Sequence, residues 1–147
     1  MKNCSVRLCL ASLAIGVATL AGCGGSSGGG KVKEHAHARA ITSLYFSATS
    51  ALGGPPANEA AFKEQIANVK PDLSILDVGS IDELFVSDRD GQPLVINYGP
   101  AAKANGGVVV YEQTGKDGIR FVGNTSGQVQ EADAALFAKL VPKPATP

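Results

Sequence analysis

Apolar residues near the front of the folded part fall on one helical stripe. Ile41, Leu44, Tyr45, Ala48 and Leu52 recur at steps of three and four, which predicts a helix over residues 33–52. Gly53-Gly54-Pro55-Pro56 ends it. Asn58 then caps a second helix, whose Phe62, Ile66 and Val69 share a face and which must stop before Pro71. Residues 72–78 allow one weak turn, and Ser80-Ile81-Asp82-Glu83 has the S-x-x-E spacing of a capping box, so residues 81–85 are expected as a short helical turn.

After Val86 the pattern changes. Asp88-Arg89-Asp90-Gly91 reads as a turn, and residues 94–98, 108–112, 119–122 and 128–130 are short β-branched or aromatic runs bounded by Gly, Asn and Asp. The joins at 113–118 and 124–127 are hairpin-sized. Parallel strands need a crossover of about a dozen residues or more, so these strands are antiparallel. A last helix over 132–140 has Leu136, Phe137 and Leu140 for its apolar face and stops at Pro142. Helices, then strands, then one closing helix predict an α+β domain over residues 34–141, with helices on one face of a three- or four-stranded sheet. Tyr98, Tyr111 and Phe121 would either form an aromatic strip on that sheet or cover the first helix.

The ends of the chain are different. Met1 to Arg7 is short and cationic, and Leu8 to Leu20 carries no charge. That run is shorter than the roughly 20 residues a membrane-spanning helix needs, and its flanks are those of a secretory signal peptide. It ends in Leu20-Ala21-Gly22-Cys23, followed by seven residues that are only Gly and Ser. Such a coil spans roughly 15 Å. Residues 142–147, with three of the chain's prolines, are expected as an extended tail.

Leu20-Ala21-Gly22-Cys23 resembles the lipobox of bacterial lipoproteins. The resemblance implies removal of residues 1–22, acylation of Cys23 (diacylglyceryl and amide-linked, palmitate-like chains), and residues 23–33 as the lipidated cysteine and its linker. Several acyl chains anchor stably where one holds only reversibly. The implied place is the cell envelope, facing the periplasm or the exterior. Gly24 stands where an Asp would favour retention at the inner membrane, so the outer membrane is preferred. Cys4 and Cys9 leave with the leader, and the folded part then has neither thiol nor disulfide. The leader also takes Lys2 and Arg7, two of 13 basic residues that balance 13 acidic ones, leaving a net charge of about −2. That charge argues against a nucleic-acid partner.

The run VVVYEQTGKDGIRFVGNTSGQVQEADAALF is similar to the ending of many bacterial pseudopilin-like proteins, the globular parts of type II secretion pseudopilins and type IV pilins. Tyr111-Glu112, Gly118, Gly127 and Val129 match; Ser126 stands where Asp is usual and Gln128 where His is usual. Ser87 to Gly99, SDRDGQPLVINYG, also resembles the "RDGxP" stretch that leads into a strand in such envelope proteins. The likeness covers roughly residues 85–140 and implies a helix laid on an antiparallel meander. The Phe-Thr-Leu-x-Glu run that opens the filament-forming helix of pilins is absent, so the fold is carried over and the polymerising role is not.

Candidate chemistry is sparse. The only histidines, His35 and His37, sit beside the linker; at i and i+2 on a helix they point about 200° apart and cannot share a metal. They are expected as solvated helix-start residues. Asp88, Asp90, Glu112 and Asp117 are the carboxylates that general acid–base work or Ca²⁺ binding would use. Asp88-x-Asp90-Gly91 fails the EF-hand pattern, because its glycine is too early and Gly99 occupies the place of the bidentate Glu. No phosphate-binding glycine loop is present. These readings favour a non-catalytic, lipid-anchored envelope protein with an interaction or structural role, no cofactor and no metal. Its partners would be the membrane, through Cys23, and an envelope or secretion-system protein. The alternatives are an envelope hydrolase or Ca²⁺-dependent binding protein using Asp88, Asp90, Glu112 and Asp117, or an accessory part of a secretion apparatus.

Overall fold

The computed structural model describes residues 35–142. The leader, Cys23, the linker and the tail beyond Pro142 lie outside the described residues. Four helices and a four-stranded antiparallel sheet make an α+β fold. Helix α1 spans Ala36–Leu52 and ends on Gly53, whose φ of 70° places it in the left-handed region that glycine adopts without strain. Ala38, Ile41, Thr42, Tyr45 and Ala48 are its buried residues. The buried stripe therefore lies slightly to one side of the expected one, and Leu52 is exposed at the helix end.

Helix α2 covers Glu59–Val69, with the Asn58 side chain accepting from the Ala61 N–H at 2.9 Å as the cap pattern requires. Phe62 and Ile66 are buried, while Val69 is exposed. Two single-turn 3-10 helices follow, Leu73–Leu76 and Asp82–Phe85. The second is the turn that the S-x-x-E spacing announces. Its bonding is displaced by a residue from a capping box: the Glu83 carboxylate accepts from the Gly79 N–H and the Ser80 hydroxyl, each at 3.0 Å. Those two donors hold the Glu83 pKa below its ordinary value.

Strands β1 (Leu94–Ile96), β2 (Val108–Glu112), β3 (Arg120–Asn124) and β4 (Val129–Ala132) form a meander in sequence order. Leu94 pairs with Glu112, Tyr111 with Val122, and Phe121 with Glu131. Between β1 and β2 lies a short helix that the sequence reading omits, α3 (Pro100–Ala104). Pro100 at its first position and Ala-Ala-Lys-Ala after it were the available signal. Helix α4 (Ala134–Leu140) is capped by Asp133, which accepts from the Leu136 N–H at 2.7 Å.

The expectation that all helices share one face of the sheet is corrected. Ile41, Tyr45, Phe62, Ile66, Leu84, Val109, Val110 and Phe121 form a core on the α1–α2 side. Val108, Tyr111, Val122, Phe137 and Val141 form a second one, with α4. Strand β2 is buried along its whole length because both layers cover it. The register shift between Val108 and Val110 lets Val109 and Val110 both join the first core while Val108 and Tyr111 join the second. Of the predicted face of α4, Phe137 is buried but Leu136 is exposed.

Helix α1 approaches β3 closely at Gly123. A Cβ there would overlap the Thr42 hydroxyl and come within 2.6 Å of Val110 Cγ1. Thr42 itself is fixed by its hydroxyl donating to the Ala38 carbonyl at 2.6 Å. Gly123→Ala should therefore cost roughly 1–3 kcal/mol, since overpacking forces α1 away from the sheet. Urea unfolding of the variant beside the parent chain checks this, and equal midpoints would contradict it.

Candidate functional site

The sequence-predicted carboxylates meet around the turn that precedes β1. Glu112, the last residue of the central strand, is 1% exposed. Its Oε1 accepts from the Ser87 hydroxyl at 2.8 Å and its Oε2 from the Phe121 N–H at 2.9 Å. Arg89 Nε lies 3.7 Å from Oε1, in an ion pair whose side chains are 8% and 1% exposed. The Arg89 guanidinium also donates to the Lys116 and Ile119 carbonyls at 3.3 and 3.2 Å, and stands 4.3 Å from the centre of the Phe121 ring.

Asp90 spans the same turn and the β2–β3 hairpin. Its Oδ1 accepts from the Gln92 N–H at 3.0 Å and its Oδ2 from the Gly115 N–H at 2.7 Å. Asp88 reaches in the other direction, accepting from the Ala36 N–H at 2.9 Å at the start of α1. Asp117 sits in the β2–β3 hairpin with φ of 54°. Asp side chains in such a turn commonly bond its own backbone, with a neighbouring cation balancing them. Asp90 does so in part; Arg89 instead serves Glu112.

The histidine expectation is corrected. His35 is 6% exposed, with its ring stacked on Phe121 at a centroid distance of 4.1 Å. Burial, then the neighbouring Arg39, pushes its pKa below 6.5, and Asp88 opposes them in part. His37 points elsewhere, its Nδ1 2.6 Å from the Val86 carbonyl. Tyr98, Tyr111 and Phe121 form no strip. Tyr111 packs edge-on against Phe137 on the α4 side, whereas Tyr98 and Phe121 belong to the α1 side.

Sequence reasoning missed Ser87 and the Arg89–Glu112 pairing. One signal was present: an acidic residue ending the apolar run Val108-Val109-Val110-Tyr111 implies a buried cation elsewhere. Chemically the arrangement is a staple joining turn, hairpin and strand. The Ser87 hydroxyl is buried and donates to a carboxylate. Among the described residues, no group of three or more His, Cys, Asp and Glu is placed to hold a metal ion.

Two shallow grooves flank the exposed side of α1. One, of about 450 Å³, is lined by Ala36, Arg39, Ala40, Ser43, Leu76 and Gly127. The other, on the far side of Leu76, holds Ile75, which is 77% exposed, with His37 and Asp88. No known protein family, curated protein or solved structure matches the chain.

Two outcomes follow from this geometry. Arg89→Met leaves Glu112 buried without its counter-ion and should cost about 3–5 kcal/mol, with part recovered in the double variant R89M/E112M. Denaturant titration of the set measures it, and a loss confined to a few tenths of a kcal/mol would show the pair to be incidental. Both oxygens of Asp90 and of Glu112 already accept protein donors, so millimolar Ca²⁺ should leave the melting temperature unchanged. A rise of several degrees would favour the Ca²⁺ alternative.

Proposed function

We propose that this chain is a lipid-anchored cell-envelope protein, held through acyl groups on Cys23, with a non-catalytic interaction or structural role. The observation that carries the reading is Leu20-Ala21-Gly22-Cys23 at the end of a charge-free apolar run behind a cationic head. No helix among the described residues is long and apolar enough to cross a membrane. The glycine–serine stretch after Cys23 gives a domain beginning near residue 34 a flexible tether of roughly 15 Å. The reading places the domain in the periplasm or at the exterior, with the outer membrane preferred because Gly24 follows the cysteine.

The domain is read as pseudopilin-like, with a partner in the envelope or a secretion apparatus. A helix laid across an antiparallel meander supports this. Helix α4 on the opposite face and the two 3-10 turns are additions to that plan. The interaction reading draws on the grooves beside α1, where Arg39, Ser43 and Ile75 remain accessible, while Glu112 and Asp90 are tied to the chain's own donors.

Cys23→Ser tests the anchor. The variant should move from the membrane pellet to the soluble fraction after a high-salt wash, and the parent chain should carry the mass of the acyl groups on a chain starting at residue 23. Continued pelleting of the variant, or an intact leader with an unmodified cysteine, would overturn the reading.

A further inference from the structure

We propose that the junction between α1 and the sheet is a proton-operated latch: His35, seated neutral on Phe121, holds the start of α1 against the turn before β1, and protonation of its ring frees that end. The inference stands on the packing of the described residues and does not depend on the lipid anchor.

The bonding requires a neutral ring. Arg39 Nη2 lies 2.9 Å from His35 Nε2. A guanidinium only donates, so Nε2 must accept and the ring proton sits on Nδ1. That Nδ1 is buried with no hydrogen-bond partner, so the tautomer already leaves one polar group unsatisfied. Adding a proton at Nε2 sets N–H against N–H and replaces a hydrogen bond with two adjoining positive charges.

The charges around the ring come from three elements. Arg39 lies on α1, Asp88 and Arg89 in the turn before β1, and Glu131 on β4. Asp88 and Glu131 favour a charged ring; burial and the two arginines disfavour it more strongly and hold its pKa below 6.5. A base whose pKa is lower when seated than when released binds its proton preferentially in the released state. The seat therefore contributes its full stability above the ordinary histidine value, and loses it as pH falls from there through the lower seated value.

Few other contacts hold the helix start. His35 provides no side-chain cap. Ala36 N–H bonds to Asp88, and Arg39 N–H bonds to the His35 carbonyl at 3.1 Å. His37 Nδ1 meets the Val86 carbonyl, and a charged ring still donates there, so charging His37 leaves that contact intact. His35 is the group whose protonation breaks what it makes.

Hydrogen exchange on the full-length chain in detergent micelles tests the latch. The Arg39 and Ala36 amides are followed at about pH 7.5 and about pH 5, each corrected for intrinsic exchange, with the core amide of Val110 marking global opening and staying better protected than both. Because global unfolding also releases His35, the effect is read on Arg39 and Ala36 directly and not as a ratio to Val110; in the parent chain their opening should rise severalfold at the lower pH. The ceiling is about thirtyfold, set by an ordinary histidine taken roughly one and a half units below its pKa. His35→Phe keeps the stacking and cannot titrate, so the opening of its Arg39 and Ala36 amides should stay flat. Arg39→Gln offers a carbonyl that accepts from the charged ring, so its acid response should shrink, and it decides the matter if His35→Phe does not fold. An acid-insensitive parent, or an undiminished acid response in a folded His35→Phe or in Arg39→Gln, would overturn the proposal.

Discussion

The carboxylate of Glu112 sits at the end of β2, the strand buried along its whole length, and taking such a charge out of water costs several kcal/mol unless it is paired and hydrogen-bonded. The chain meets that demand from a distance. Ser87, 25 residues earlier, donates to it, Arg89 brings the counter-charge, and the Phe121 amide of the next strand fills the second oxygen. Because Arg89 also donates to two carbonyls of the β2–β3 hairpin, and Asp90 to Gly115 does the same from the acceptor side, the turn can dock in only one way. Docking the turn delivers the chain to β1 with Leu94 opposite Glu112. Replacing such a pair with apolar residues is often no less stable; what the pair contributes here is the single register in which the Ser87 hydroxyl, the Phe121 amide and the Arg89 charge all reach one carboxylate.

The same logic appears on both sides of the sheet. Phe121 and Tyr111 project from adjacent strands to opposite faces, and an arginine covers an aromatic ring on each side. Arg89 stands over Phe121 in the first layer, and Arg120 stands 4.2 Å from the ring centre of Phe137 in the second. Tyr45 crosses the first layer to donate to the Asn97 carbonyl at 2.7 Å, and its burial pushes its pKa up to about 12. Asn97 in turn donates to the Val108 carbonyl at 2.9 Å. Polar groups in this domain are thus spent at the edges of the apolar layers, where each closes a backbone group that a strand end or bulge leaves open.

What the sequence made legible was local. The stripe of α1, the Asn58 cap, the Gly-Gly-Pro-Pro stop and the run 108–112 each follow from spacing or from one residue's conformational preference. Element ends drifted by one to three residues, as α1, β1 and β4 show. Which face a strand residue meets was not legible, because the register shift at Val109 reverses the alternation inside β2 and no residue in that run announces it. The burial of His35 was hidden for a related reason. In the sequence it stands a few residues after the glycine–serine stretch, and only the position of β3 supplies Phe121 as its floor. Four carboxylates counted as candidate chemistry resolve into a buried staple, a turn brace, a helix-start acceptor and a hairpin residue.

That resolution bears on the choice among functional readings. A carboxylate whose oxygens already accept from the Ser87 hydroxyl and the Phe121 amide can take up a substrate proton or a cation only by surrendering those bonds, and the docking of the turn before β1 with them. Under the proposed interaction role, recognition would draw on the small residues and Arg39 along the outer side of α1, and on Ile75 across the neighbouring groove, rather than on the buried Glu112 network. Arg39 stands on both accounts, since it lines that groove and donates to His35. A partner that draws its guanidinium outward would remove the positive charge nearest the buried ring, so occupation of the groove and the protonation of His35 are linked through one side chain.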